Sequence, residues 1–186
     1  MATAADRKAD EKRERILTAA RSVILRDGLR GATMEAIARQ AHMAKPTLYG
    51  QFSNKDEVFE AIIESMIGSW SDAFERAFDA PTPLAERMGM ALAAKFGTAA
   101  DMVEGSPHAE ELIGAHHRLA HRIEMADDAM TRRMVTALAA EGYHDPEQRI
   151  ALLLAACSGL LVKIKGGAAV RAAIVDLTAR MLASKR

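Results

Sequence analysis

The segment from Thr33 to Lys55 constrains the fold of this chain more than any other. It places small and apolar residues at helical spacing on both sides of a short turn near His42. This pattern predicts two short helices joined by a tight turn, the second over about residues 44–50. Pro46 stands early in that second helix, where its missing N–H group breaks no hydrogen bond. Because the helix has only about two turns, its few outward side chains are expected to project together.

The remainder of the chain also favours helices over strands. Ala, Leu, Met, Glu and Arg dominate, and apolar and polar residues do not alternate. Ile16, Ala20 and Ile24 recur at helical spacing, and Gly28 is expected to end that helix with a positive φ. We therefore predict an all-α protein.

Start and stop signals separate the later helices. Residues Ser53 to Asp56 are typical of a capping box before a long amphipathic helix. Pro81 and Pro83 interrupt the chain, and Asp145 followed by Pro146 is typical of a helix start with Asp145 as its cap. The further helices are predicted over about residues 84–100, 108–140 (dividing near residue 115), 146–165 and 168–184.

The zero net charge conceals an uneven distribution. Residues 1–55 hold 11 Lys and Arg against 6 Asp and Glu, whereas residues 56–186 hold 14 against 19. A basic end on a mildly acidic body is typical of a protein that faces nucleic acid with one end. Residues 1–12 are polar and are expected to form a mobile arm. The charged run from Arg7 to Arg15 is either a solvated helix start or an arm that reaches the minor groove.

Several other classes of protein are disfavoured. The single cysteine, Cys157, excludes an internal disulfide framework and lies in an apolar run, where a thiol is unreactive. Because no glycine-rich phosphate loop, nucleophile elbow or matched pair of acids is present, we predict neither an enzyme nor a cofactor. The first residues lack the apolar stretch of a secretory signal, and the run from Ile150 to Val162 is too short to span a bilayer. We therefore expect a cytoplasmic protein.

The second short helix carries side chains suited to DNA. Lys45 can reach a phosphate or a guanine edge, Thr47 can donate to a phosphate or contact a thymine methyl, and Tyr49 can hydrogen-bond a phosphate. Thr33 and Lys55 stand at the starts of the flanking helices, where exposed N–H groups attract phosphate. The simpler alternatives are a capping role for Thr33, a solvated Lys55 and a packing role for Tyr49.

An ordered set of residues resembles the amino-terminal domain of the TetR family of bacterial transcriptional repressors. The set covers roughly residues 12–60 and comprises Arg15-Ile16-Leu17, Gly28, Thr33, Ile37-Ala38, Ala41, Thr47-Leu48-Tyr49, Phe52 and Lys55. The resemblance implies a three-helix, helix-turn-helix DNA-binding domain. The DNA contacts that it implies are Thr33, Lys45, Thr47, Tyr49 and Lys55, with Arg30 as a further candidate.

Two residues depart from the pattern of that family. His42 stands where a turn glycine is usual, and histidine tolerates positive φ poorly, although better than a β-branched residue does. Ala44 stands where a capping serine or threonine is usual, and the loss of such a cap costs about 1 kcal/mol. The sequence leaves open how His42 and Ala44 affect DNA specificity.

The resemblance also implies that the chain has two domains with different functions. The helix-turn-helix domain is expected over residues 1–52 and a helical ligand-binding and dimerisation domain over residues 53–186. The resemblance implies a two-fold dimer that reads a pseudo-palindromic operator. The apolar helix from Ile150 to Ile164 and the last helix are expected to form half of an intersubunit four-helix bundle, unless they are ordinary core helices of one subunit. The predicted interface residues are Leu153, Leu154, Cys157, Leu160, Leu161, Ile164, Ile174, Leu177 and Met181.

The region from about residue 60 to residue 140 is then expected to hold a pocket for an apolar small molecule. Its candidate lining residues are Trp70, Phe74, Phe96, Met102, Leu112, His116 and Met134, with Met125 and Met130 as additional methionines. The same residues at helical spacing are also compatible with an ordinary core. His117 and His121 share a helix face, but no further ligand completes a metal set, so no metal site is predicted.

The expected function is a ligand-responsive transcriptional repressor that binds operator DNA as a homodimer and is released by a small-molecule effector. One alternative is a constitutive or activating DNA-binding regulator without an effector. Another is a helical protein-interaction module. The operator, the regulated genes and the identity of any effector are left open by the sequence.

Overall fold

The computed structural model describes residues 4–114 and 120–185 of the chain. These ranges contain helices and no strands, which confirms the all-α class. The helices are α1 (Ala4–Gly31), α2 (Met34–Gln40), α3 (Lys45–Tyr49), α4 (Lys55–Phe78), α5 (Leu84–Val103), α6 (Ala109–Gly114), α7 (Ala120–Ala140), α8 (Pro146–Lys163) and α9 (Gly167–Met181). Among them, no helix has the length and apolar character needed to cross a membrane. The division expected near residue 115 lies outside the described residues.

The chain packs as two compact units. The first, here called the head, comprises residues 1–65 and 105–118. The second, here called the body, comprises residues 66–104 and 119–186. The head therefore includes the first part of α4 and all of α6, in addition to residues 1–52 that were predicted for the DNA-binding domain.

The core of the head follows the predicted helical spacing. Ile16, Ala20 and Val23 lie on one face of α1 and are completely buried, as are Leu48 of α3 and Ile62 of α4. Burial of a large aliphatic side chain contributes about 1.5–3 kcal/mol, so this cluster holds the short helices in place. Helix α1 begins at Ala4. Residues 4–12 are therefore helical, which favours a helix start over a minor-groove arm for the charged run from Arg7 to Arg15, and the mobility of residues 1–12 stays a prediction.

Gly28 bends α1 near its end, with the predicted positive φ of 72°. A Cβ atom there would lie 2.8 Å from Glu111 Oε2 and 3.0 Å from His108 Nδ1. The Ser106 hydroxyl also donates to the carbonyl of Leu25 at 2.8 Å. The backbone conformation therefore favours glycine at position 28, and the close approach of His108 and Glu111 adds to this preference.

Two helix starts in the head are capped by side chains. The Thr33 hydroxyl accepts a hydrogen bond from the Ala36 N–H at 3.1 Å, which confirms the predicted cap of α2. At the start of α4, Asn54 Oδ1 accepts from the Glu57 N–H at 2.9 Å, and Glu57 Oε2 accepts from the Ser53 N–H at 2.8 Å. The cap thus lies one residue later than predicted, and Glu57 reaches back to the residue before the cap.

Helix α8 begins at Pro146 as predicted, but Asp145 does not cap it. Asp145 adopts a left-handed conformation with φ 49° and ψ 53°, and its side chain makes no capping hydrogen bond. An N-cap residue normally has an extended backbone, which aims its side chain at the free N–H groups. The predicted capping role was therefore wrong.

Small residues bring α5 and α9 of the body close together. Gly89, Ala93 and Gly97 recur every four residues on α5, and all three are buried. A Cβ atom on Gly89 would lie 3.5 Å from the Val175 Cα atom of α9, and one on Gly97 would lie 2.5 Å from Arg171 Cγ. A side chain larger than a methyl group at Gly89 would therefore meet the backbone of α9.

Helix α8 buries one face in the body through Ile150, Leu153 and Cys157. Burial raises the pKa of the Cys157 thiol to about 12, against an opposing effect of the Lys95 charge. The thiol therefore stays protonated near neutral pH and is a poor nucleophile.

Candidate nucleic-acid interface

A side chain of α1 holds the turn between α2 and α3 in place. Arg15 Nη2 donates to the carbonyl of Ala41 at 3.0 Å. His42 adopts φ 51°, the left-handed conformation that was expected where glycine is usual. Leu48 is fully buried, so α3 is anchored on one face and turns its other face outward. Ala44 precedes α3 without a side-chain cap, as its methyl group requires.

The outward face of α3 presents the predicted DNA-binding side chains. Lys45 is exposed, Thr47 is half-buried, and Tyr49 is 47% exposed. Lys45 Nζ lies 3.1 Å from Glu35 Oε1 of α2, and this hydrogen bond lowers the pKa of Glu35. An exposed ion pair of this kind is weak, so Lys45 can exchange Glu35 for a stronger anion such as a phosphate.

Two further candidates lie on exposed surface of the head. Thr33 is exposed, and its hydroxyl oxygen accepts from Ala36, which leaves the hydroxyl hydrogen available to a phosphate. Arg30 is exposed in the last turn of α1. The cap role and the contact role of Thr33 are therefore compatible.

Lys55 has a different environment from the one expected. Its ammonium donates to the carbonyl oxygens of Leu29, Arg30 and Ala32 at 3.0, 3.2 and 3.2 Å. An ammonium group has three N–H donors, so these bonds use all of them. Lys55 thus secures the carboxyl end of α1 and the residues after it, and its ammonium has no N–H left for a phosphate.

A groove beside the turn contains basic residues of the charged run from Arg7 to Arg15, none of which was predicted individually as a DNA contact. It is lined by Lys8, Glu11, Lys12, Arg15, His42, Met43, Ala44 and Thr47. Lys8, Lys12 and Arg15 follow one another at spacings of four and three residues, which places them on one face of α1. That spacing is visible in the sequence and agrees with the helix start that was one interpretation of the charged run from Arg7 to Arg15.

We expect Lys55→Met to lower the free energy of unfolding by about 1–3 kcal/mol, because three backbone carbonyls lose a charged donor. Lys45→Met, in contrast, should leave stability nearly unchanged. Urea denaturation followed by circular dichroism measures both values. Equal stability of Lys55→Met and the wild type would show that the three bonds have no structural role.

The predicted dimer residues divide by burial. Leu153, Cys157 and Ile174 are buried inside the body. The partly exposed members are Leu154, Leu160, Leu161, Ile164, Leu177 and Met181. The most exposed apolar side chains of α8 are instead Leu152 at 56% and Val162 at 65%. Together with the exposed Ala155 and Gly159 they form a stripe with helical spacing, here called the α8 stripe.

The predicted pocket residues fall in both units. Trp70, Phe74, Phe96 and Met134 are buried in the body, and Met102 is half-buried there. Leu112 is buried in the head. His116 and His117 lie outside the described residues, and nothing is described of the side chains of His121 and Met125. Within the described part of the chain, no three His, Cys, Asp or Glu residues are grouped as metal ligands.

The head therefore has the geometry of a helix-turn-helix domain. A buried scaffold of α1, α2 and α4 supports a short helix whose exposed face carries Lys45, Thr47 and Tyr49. In proteins of this class the second helix of the motif enters the major groove.

Comparison with known proteins supports the same class. Residues 16–62 match the family model described as bacterial regulatory proteins, tetR family. The chain is 28% identical over 127 residues to the HTH-type transcriptional activator FasR of Mycolicibacterium smegmatis, covering 66% of this chain and 56% of that protein. It is 33% identical over 75 residues to the DNA-binding transcriptional repressor TetR of Mycobacteroides abscessus, covering 40% of each. The chain thus spans about half the length of these curated relatives.

Solved structures share the fold over nearly the whole chain. The fatty acid degradation regulator FadR from Bacillus halodurans has a TM-score of 0.69 at 18% identity, with 90% of this chain and 94% of that chain covered. A TetR-like transcriptional regulator from Rhodococcus sp. RHA1 has a TM-score of 0.65 at 22% identity, with 93% and 96% covered. Residues 16–62 thus carry the amino-terminal domain of the TetR family of bacterial regulators, as the sequence indicated.

Proposed function

We propose that this protein is a ligand-responsive transcriptional repressor that binds a pseudo-palindromic operator as a homodimer and is released by a small-molecule effector. The observation that carries the proposal is the exposed face of α3 with Lys45, Thr47 and Tyr49. The basic groove beside it adds Lys8 and Lys12. Operator binding would place the protein in the cytoplasm with the chromosome.

We assign most of the phosphate contacts and the base contacts to different helices of the head. Lys8 and Lys12 on α1 and Thr33 at the start of α2 supply phosphate donors around α3. Lys45 and Thr47 at the amino-terminal end of α3 are the side chains we assign to base edges or to the nearest phosphates. Tyr49 lies one turn further along and is assigned to a phosphate.

Lys45→Ala is expected to weaken operator binding and to reduce the slope of log affinity against log salt by about two units, because each subunit of a dimer loses one phosphate contact. Tyr49→Ala should weaken binding about tenfold with little change in slope, because it removes a neutral donor. Fluorescence anisotropy on genomic fragments that the wild-type protein retains gives both quantities.

Arg132→Ala is the matched control for these variants, since Arg132 is an exposed cation on α7 of the body. It should retain wild-type affinity and salt slope. If Lys45→Ala behaves like Arg132→Ala, Lys45 contacts no phosphate. If Tyr49→Ala also retains full affinity, α3 is not the DNA-reading helix and the interaction-module alternative gains support.

The dimer is supported by the apolar surface of α8 and α9. The α8 stripe exposes Leu152 and Val162 around the small residues Ala155 and Gly159, and Val175 is 38% exposed on α9. No described atom beyond the local backbone lies within 4 Å of a Cβ built on Gly159, so a partner helix could approach closely there. Packing of α8 and α9 against a second copy would bury this surface in a four-helix bundle.

We propose repression over activation only because the chain resembles a family of repressors. Of the two relatives above, one is named an activator and the other a repressor. A reporter gene behind a retained fragment decides between them. Expression of this protein should lower reporter transcription if it represses. A rise in transcription would establish the activating alternative while leaving the DNA-binding assignment intact.

The effector is supported by the apolar interior of the body, where Trp70, Phe74, Phe96 and Met134 are buried. An effector that binds a low-affinity state of the dimer more tightly releases the operator by shifting the population of states. Trp70, the single tryptophan, reports on binding through its fluorescence. If no compound that binds the protein changes its operator affinity, the protein has no effector and the constitutive alternative is correct.

A further inference from the structure

A lysine is buried in the interior of the body. Lys95 lies on α5 and is only 7% exposed. Lysine is rarely buried, because an ammonium group loses several kcal/mol of hydration in a protein interior unless anions and hydrogen bonds replace it. The immediate partners of this ammonium therefore indicate what the site can hold.

The Lys95 ammonium has one carboxylate and two aromatic rings around it. Its Nζ atom donates to Asp127 Oδ1 of α7. It also lies 5.0 Å from the centroid of the Trp70 ring and 5.2 Å from that of Phe96. Among the described residues, Asp127 supplies its one hydrogen-bond acceptor, although an ammonium has three N–H donors. Within the described part of the chain, two of these donors are therefore left to an additional anion.

A second donor borders the same space. The Trp70 Nε1 atom is buried and has no hydrogen-bond partner among the residues that the structure describes. A buried donor without a partner is unfavourable, and such groups are uncommon in proteins. The ring that carries Nε1 is also the ring 5.0 Å from Lys95 Nζ, so both donors lie in the same part of the body.

Asp127 differs from Lys95 in its access to water. Its side chain is 36% exposed, whereas that of Lys95 is 8% exposed. When the pair opens, the carboxylate of Asp127 can turn to solvent and regain its hydration, but the ammonium stays inside. Exchange of Asp127 for another carboxylate thus costs less than removal of the lysine charge would.

We propose that Lys95 and Trp70 Nε1 bind the carboxylate of an amphiphilic effector, and that this carboxylate displaces Asp127 from Lys95. The proposal rests on the proposed function as an effector-responsive regulator and names the chemical class of the effector. The buried side chains of Phe74, Phe96 and Met134 in the body suit an apolar remainder of the molecule. Displacement of Asp127 would also release the link between α5 and α7, which gives the ligand a way to change the body.

The test uses the full chain and the fluorescence of Trp70. The probes are straight-chain carboxylates from hexanoate to hexadecanoate, together with 4-phenylbutyrate, each below its micelle concentration and paired with the primary alcohol of the same skeleton. Wild-type protein should show a saturable response to at least one carboxylate and a weaker response to its alcohol. Lys95→Met, which keeps the side-chain length, should bind the two equally.

Asp127→Asn provides the sharper measurement, because it removes the competing carboxylate and leaves Lys95 in place. It should bind the carboxylate about tenfold more tightly than the wild type. Asp128→Asn is the matched control, since Asp128 is the exposed acid next to it in the chain and should leave the affinity unchanged. This pair of variants remains informative if Lys95→Met fails to fold.

Three results would overturn the inference. They are the absence of a saturable response to every carboxylate in both wild type and Asp127→Asn, an equal effect of Asp127→Asn and Asp128→Asn, and equal binding of carboxylates and alcohols by the wild type. Any of them would leave Lys95 and Asp127 as a structural ion pair only. Retention of operator fragments, measured in parallel without ligand, tests the proposed DNA binding separately from the choice of effector.

Discussion

The double variant Leu152→Glu/Val162→Glu is expected to be a folded monomer that binds its operator at least about 100-fold more weakly than the wild type. Both side chains are largely exposed on the α8 stripe, so the charges do not disturb the core of the subunit. In a dimer the stripe would meet its own copy, and four carboxylates would be buried in one apolar interface. A monomer binds only one half-site. It therefore loses the increase in affinity that arises when one head, once bound, raises the effective concentration of the other head at the second half-site.

Sedimentation velocity measures the oligomeric state, and anisotropy measures operator affinity. The control is Ala129→Glu/Ala139→Glu, which adds the same charge to exposed positions of α7. It should remain dimeric and keep its affinity. A Leu152→Glu/Val162→Glu protein that is still a dimer would show that the two subunits meet through another surface.

Gly89→Leu is expected to destabilise the body by about 3 kcal/mol or more, whereas Gly89→Ala should be neutral or stabilising. A Cβ atom at this position has ordinary contacts, the nearest being Thr178 Cβ and Val175 Cα at 3.5 Å. Alanine therefore fits and adds about 1 kcal/mol of helix propensity. The further carbons of leucine would meet the backbone of α9, which cannot move aside as a flexible side chain can.

Urea denaturation of the three proteins separates these effects. The matched pair isolates side-chain volume, because leucine and alanine are both good helix formers. An unfolding midpoint for Gly89→Leu equal to that of Gly89→Ala would contradict the close approach of α5 and α9. A loss of stability in both variants would instead indicate that the backbone itself requires glycine.

The features that could be predicted from sequence were those that depend on neighbouring residues. The short helices α2 and α3, the cap by Thr33 and the left-handed His42 follow from propensities and hydrogen bonds within a few residues. The bend at Gly28 is of the same kind. Local sequence did not distinguish two neighbouring residues that could each cap α4, since Asn54 rather than Ser53 is the cap.

The roles of charged side chains were less predictable. Lys55 and Lys45 were both expected to contact phosphate, yet Lys55 binds carbonyls that lie 23 to 26 residues earlier in the chain. Lys95 did not stand out as a candidate, because a lysine in an amphipathic helix is usually solvated. The partners of a long side chain depend on what other helices bring near it, and local sequence does not carry that information.

The amino-acid sequence by itself determined the helical class, the position of the helix-turn-helix segment and the family, because periodicity, caps and turn residues act over short distances along the chain. Only the tertiary structure decided which apolar residues of α8 are buried in the subunit and which remain exposed, and which lysines are bound by carbonyl or carboxylate groups of distant residues. These properties depend on the packing of helices that are distant in sequence, where a rotation of a single helix exchanges its buried face for its exposed one.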